Sequence, residues 1–163
     1  MRVARLLLLP ALLLLAGCGF HLRGAVPRPP AEMEPLWLAG LADYHPFVRE
    51  LRRQLEWSGA RLAGSAQEAG GVLRLSLSQE SRVFSVNAYN SAVEYEYLFV
   101  LHYRTEHPPG TLRDEGRLES RRIVYAPGGE LLGRVREGEM RQRDVYRELA
   151  GRLLQRLAAG GNR

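Results

Sequence analysis

Leu15-Ala16-Gly17-Cys18 sets the chain's single cysteine directly behind small residues, and that order suits one reaction. A peptidase at a membrane surface needs small side chains before its cut, and a cysteine thiolate is a nucleophile able to accept a diacylglyceryl group. Upstream, Arg2 and Arg5 form a positive n-region, and Leu6–Leu15, interrupted by Pro10, is an apolar stretch too short to span a bilayer. Residues 1–17 therefore read as a cleaved lipoprotein leader. Once freed, the amino group of Cys18 can be acylated as well. At about 0.8 kcal/mol per buried CH₂, two or three chains anchor a protein stably where one holds marginally. The competing reading is an ordinary buried cysteine behind a secretory leader. A lone thiol makes no intramolecular disulfide, so none staples the fold.

Arginine supplies the other candidate chemistry. All 23 lysine-or-arginine positions are arginine, whose planar fork grips phosphate and carboxylate through paired hydrogen bonds. Removing Arg2 and Arg5 with the leader lowers the formal charge from +5 to +3, which by itself selects no partner. Arg134 and Arg136 lie just ahead of an expected final helix, Arg121 and Arg122 close the last expected strand, and Arg82 sits in the outer half of the second. An antiparallel sheet could bring these five to one rim as a cationic cluster. The alternative is a solvated set paired with Glu119, Glu137 and Glu139.

Catalytic patterns do not emerge. His21, His45, His102 and His107 lack metal-ligand spacing. Ser65, in Ala63-Gly64-Ser65-Ala66, lacks the second glycine of a nucleophile elbow, and Glu94 with Glu96 is an ordinary solvated pair on a strand. Gly70-Gly71 and Gly128-Gly129 read as turns. The expectation is a non-enzymatic binding or structural component without metal or cofactor apart from the lipid on Cys18, and without a nucleic-acid partner.

The elements that must position these residues follow from periodicity. Gly19–Pro35, with four prolines, reads as an extended tether, so that residues 18–35 form the lipidated N-terminus and residues 36–163 one domain. Leu36–Ala39 is a short strand. Pro46 opens a helix running to about Ser58, where Gly59 offers a cap. Val72–Val86 alternates as a strand with a bulge expected near Gln79–Ser81, and Asn87–Ser91 is turn material. Val93–Arg104 carries Tyr95, Tyr97, Phe99, Leu101 and Tyr103 on one face; its other face is apolar only around Leu98 and Val100, which implies a cover there. After His107-Pro108-Pro109-Gly110, Leu112–Tyr125 is a charged strand suited to a sheet edge. The last helix, from about Glu137 to Ala158, buries Tyr146, Leu149, Ala150, Leu153, Leu154 and Leu157 and shows arginines elsewhere. The order β-α-β-β-β-α implies an α+β two-layer sandwich, a four-stranded mixed sheet with two helices on one face.

The run Gly17-Cys18-Gly19-Phe20-His21-Leu22-Arg23-Gly24 resembles the start of the lipopolysaccharide-assembly lipoprotein family LptE, also called RlpB, whose mature chains open with Cys-Gly, an aromatic residue and Leu-Arg. The Pro-started helix, the Val83-Phe84 strand with its turn and Glu94-Tyr95, and a closing helix with Met140 and Tyr146 extend the likeness over the mature chain. This resemblance implies an outer-membrane lipoprotein on the periplasmic side, seated as a plug in a large β-barrel of the LptD type. It would assist that barrel's assembly and the delivery of lipopolysaccharide to the outer leaflet. It also implies direct contact between lipopolysaccharide and basic residues: Arg134 matches one such position, while Ser85 stands where another basic residue is expected, with Arg82 the nearest arginine. Longer members continue past the position of Arg163, and no role of such a tail is carried over. Gly19, not Asp, follows the cysteine, which agrees with outer-membrane sorting. The alternative function is an envelope lipoprotein that binds lipid or an anionic polymer without a barrel.

Overall fold

The computed structural model describes residues 27–125 and 131–160, with side chains in the last helix described from residue 142 onward. Four strands, β1 (Leu36–Ala39), β2 (Gly71–Val86), β3 (Ala92–Glu106) and β4 (Leu112–Tyr125), lie in sequence order in one sheet. β1 runs parallel to β2, and the other two pairs are antiparallel. Helix α1 (Pro46–Trp57) bridges the parallel pair, and α2 (Leu131–Gly160) closes the chain. Both pack on the same sheet face, giving the two-layer α+β arrangement that the element order implies.

Alternation decides which side chains meet. Leu36 and Leu38 of β1, Leu73 and Leu75 of β2, Phe99, Leu101 and Tyr103 of β3 and Leu118 of β4 enter one core with Phe47, Val48, Leu51 and Leu55 of α1. α2 adds Val145, Tyr146, Leu149, Ala150, Leu153, Leu154 and Leu157. Tyr146 lies edge-on to Phe47 and Phe99, with ring centroids 5.8 and 6.2 Å away, and so locks both helices to the sheet.

Pro46 stands at the first position of α1, where a missing N–H costs nothing, and the His45 Nδ1 accepts from the Phe47 N–H at 3.2 Å. Burial holds the His45 pKa below its ordinary 6.5, and the cap requires the neutral ring. Because the folded-state value is depressed, this contribution is present above pH 6.5 and is lost as pH falls through the lower, folded-state value. His45→Ala should therefore cost about 1 kcal/mol at pH 7.5. In urea titrations its deficit against the parent should shrink at pH 5.

Four expectations change. The tether does not stay free up to Pro35. Ala31–Met33 forms a 3-10 turn that buries Met33, and Arg28 donates to both carboxylate oxygens of Glu34 at 2.7 and 2.6 Å. Apolar Met33 and a satisfied ion pair outweigh the extended preference of the prolines. The bulge falls at Val83–Val86, where Phe84 and Val93 drop out of the pairing, and not at Gln79–Ser81. Backbone pairing carries the ladder through the polar residues, and Gln79 there meets Gln142 of α2 at 3.2 Å.

α2 begins at Leu131, six residues before the expected Glu137, so Arg134 and Arg136 belong to its first turns. A helix nucleated by its packed half propagates cheaply, and Gly133 costs only about 1 kcal/mol against that. Finally, among the described residues no helix or strand covers the second sheet face. Val100 is nevertheless buried there, flanked in register by Ser78 and Glu119; Leu98 is flanked by Glu80 and Arg121. Long polar side chains shelter the apolar centre of the face.

Candidate functional site

The uncovered face is a lattice of charges. Arg74, Ser76, Ser78, Glu80 and Arg82 of β2 stand beside Arg104, His102, Val100, Leu98 and Glu96 of β3, which stand in turn beside Glu115, Arg117, Glu119, Arg121 and Ile123 of β4. Arg74 binds Glu106 at 2.6 Å, and that bond, with the Gly110 N–H, holds the Glu106 pKa below the usual carboxylate range. Arg117 pairs with Glu119.

At the far half of the sheet, Arg82 and Arg121 converge on one buried carboxylate. Arg82 Nε is 2.5 Å from Glu96 Oε2, and Arg121 is 3.3 Å from Glu96 Oε1. The Glu96 side chain is only 5% exposed, whereas the two guanidinium groups stand well out in solvent. Two cations on one anion leave a single positive charge, with guanidinium N–H groups turned to water. An anionic headgroup could bind this pair without displacing Glu96.

Each arginine alone can still satisfy Glu96. Arg82→Ala or Arg121→Ala is accordingly expected to cost about 1 kcal/mol, and the double variant about 3 kcal/mol, more than the sum, because the carboxylate then loses both partners. A double-mutant cycle by chemical denaturation measures that excess.

Arg122 is divided from its neighbour by the strand's pleat. It lies on the helix-covered face, paired with Glu148 of α2, which Arg152 also reaches at 3.2 Å. Burial opposes the Glu148 charge, but the Arg122 and Arg152 contacts outweigh it and hold the pKa down. Of the five arginines expected to form one rim cluster, the structure brings together Arg82 and Arg121 and sends Arg122 to the opposite face. A two-residue period makes any adjacent pair on a strand diverge in this way. Their carboxylate partners are Glu96 and Glu148, not Glu119. Arg134 and Arg136 are placed only as backbone of α2; their side chains, like Cys18, lie outside the described residues.

Past this pair the sheet exposes apolar groups that the sequence reading did not single out. Val83, Phe84, Val86, Tyr89, Ile123 and Tyr125 are each about half exposed or more around the β2–β3 turn. The Asn87 side-chain oxygen accepts from the N–H groups of Tyr89 and Ser91 at 2.9 and 3.0 Å and shapes that turn. Apolar groups grouped at one end beside charged ones are the composition of a contact surface. The available signal was the Val83-Phe84 pair itself, apolar and adjacent beside a turn, which the resemblance already includes.

Residues 36–157 match the family model described as "LptE: Lipopolysaccharide-assembly", a span that includes all four strands and nearly all of both helices. The chain belongs to the LptE family. A relative from Photorhabdus laumondii, "LPS-assembly lipoprotein LptE", is 30% identical over 159 residues, covering 96% of this chain and 85% of the relative. A protein of the same description from Yersinia enterocolitica is 35% identical over 106 residues, 64% of this chain, and that match spans half of the relative's length.

Among solved structures, rare lipoprotein B from Shewanella oneidensis superposes with a TM-score of 0.66 at 24% identity, covering 76% of this chain and 93% of that one. Lipoprotein B from Nitrosomonas europaea gives 0.66 at 20% identity, covering 86% and 91%. These two likenesses concern the fold. They show that the sheet and helix pair is a fold shared with these lipoproteins. Among the described residues, no helix is long and apolar enough to cross a membrane.

Proposed function

We propose that this chain is an outer-membrane lipoprotein, anchored by acyl groups on Cys18, that seats as a plug in an LptD-type β-barrel. It assists the barrel's assembly and the passage of lipopolysaccharide to the outer leaflet. Membership in the lipopolysaccharide-assembly family carries the reading. The uncovered charged face and the exposed apolar end support it. A domain inside a wet barrel needs a polar surface toward the lumen and local apolar contacts toward the wall. The role is positioning and binding, without catalysis.

Direct lipopolysaccharide contact is part of the proposal. Phosphate groups are natural ligands for the Arg82 and Arg121 pair, and Arg134 and Arg136 are further candidates. The test is affinity capture from detergent-solubilised membranes, with identification of copurifying proteins and measurement of surface lipopolysaccharide after depletion. The expected result is an outer-membrane barrel in stoichiometric amount and reduced surface lipopolysaccharide. A stable monomer without a barrel partner would overturn the plug assignment. Photocrosslinkers at Arg82, Arg121 and Arg134 then separate lipid contact from contact with protein.

A further inference from the structure

The two edges of the sheet are finished differently. On the β1 side a short run of backbone closes the edge: Leu36 donates to the Arg61 carbonyl at 2.9 Å, and Ala63 donates to the Leu36 carbonyl at 3.0 Å. β4 is the other edge strand, 14 residues long, and among the described residues no backbone pairs with its outer side. Arg152 reaches over from α2 and donates to the Glu119 carbonyl at 2.6 Å, which marks that carbonyl as outward-facing. Backbone direction alternates along a strand, so Glu115, Arg117, Arg121, Ile123 and Tyr125 turn their groups outward too. An open row of this length invites another strand unless its side chains forbid the approach.

The charges on β4 forbid most approaches and favour one. Lay the strand antiparallel beside a second copy of itself, about a two-fold axis at Leu118. Arg117 then stands opposite the copy's Glu119, Glu115 opposite its Arg121, and, on the helix side, Asp114 opposite its Arg122. Every charged residue from Asp114 to Arg122 faces an ion of the other sign, and symmetry repeats each pairing. Sliding by two residues brings Arg117 against the copy's Arg117, or Glu119 against its Glu119, and like charges directly opposite are destabilising. A one-residue slip sets outward backbone groups against inward ones. Present contacts leave room for the second strand. Arg117 and Glu119 pair within β4 and are both about half exposed, and Glu115 is exposed. Arg121 and Arg122 hold Glu96 and Glu148, and a guanidinium with five N–H donors can serve a second carboxylate. The Glu119 carbonyl has two lone pairs, one for Arg152 and one for an N–H of the copy.

We propose that, outside a barrel, two copies of this chain pair through β4 in this register, joining two four-stranded sheets into one continuous sheet. The pair covers the long open edge of a chain that has not yet been seated. In the plug assignment a lumen holds one copy, so seating parts the pair; the pairing itself does not depend on that assignment.

The chain from residue 18 onward with Cys18→Ala, which leaves no native thiol, is followed by sedimentation velocity over a range of concentrations. The expected result is a monomer–dimer equilibrium. Arg117→Glu should weaken it about tenfold or more, because a glutamate then faces Glu119 of the other copy on both sides of the axis. Arg117→Glu combined with Glu119→Arg should restore it. An equimolar mixture of Arg117→Cys and Glu119→Cys chains should cross-link under mild oxidation faster than either chain alone, since this register sets those Cα atoms about 5.5 Å apart, within disulfide reach. A monomer at every concentration overturns the proposal. A dimer indifferent to the charge reversal, or cross-linking no faster in the mixture, assigns the association to another surface and overturns it equally.

Discussion

Cys18→Ala, exported behind an ordinary secretory leader in place of residues 1–17 in a host without the barrel partner, is expected to leave the domain folded and free in the periplasmic fraction. The physical term removed is acyl burial, about 0.8 kcal/mol for each CH₂. Losing even one chain forfeits about 10⁴ M⁻¹ of membrane partitioning, and two or three chains make the difference between bound and soluble. Among the described residues the core begins at Met33, so circular dichroism and the denaturation midpoint should match those of the parent domain. Palmitate labelling and flotation give the measurement. Flotation of the alanine variant with membranes would show that something other than the lipid holds the protein there.

Gly40→Ala is expected to be the most destabilising single methyl in the domain, at about 3 kcal/mol or more. Gly40 has φ +93°, and a Cβ built there would lie 2.2 Å from the Leu75 carbonyl oxygen of β2. The left-handed backbone alone costs a residue with a Cβ about 1–2 kcal/mol, and the collision with an inner-strand backbone adds about 1–3 kcal/mol. Gly110 is the control, since its φ is +90° and nothing lies within 4 Å of its Cβ position. Gly110→Ala should cost only the dihedral part, about 1 kcal/mol. Urea midpoints of the two variants separate backbone strain from steric collision. Equal losses would mean that the β1–α1 turn can move away from β2.

Much of the fold was legible because its signals are local. The alternation of Leu73, Leu75 and Leu77 and the Pro46 start of α1 each state their own element. So do the Gly59 end of α1 and the leucine stripe of α2. The strand bounds expected at Leu36–Ala39 and Leu112–Tyr125 coincide with β1 and β4. Val145 escaped the expected stripe although it is fully buried, because it lies at the margin of the helix's apolar arc. The docking of residues 27–35 was illegible for another reason. Met33 and Glu34 look like parts of a polar, proline-rich tether until Arg61, distant in sequence, supplies one side of their pocket. The site divides in the same way. Arginines suited to phosphate can be read from composition, but Arg82 and Arg121 meet only because the β2–β3 and β3–β4 registers bring both to Glu96.

By itself the sequence determined the order and type of the elements, the faces that turn inward, and the resemblance that the family match bears out. These depend on residue identity, on periods of two and 3.6 residues, and on caps that act within a few positions. Only the tertiary structure decided that Arg121 and Arg122 part company, that among the described residues one sheet face stays without a helix, and that Arg28 of the docked tether lies near Gly59 at the end of α1. Such pairings join residues far apart in the chain. Their geometry is set by strand register and helix packing, which no local window of residues contains.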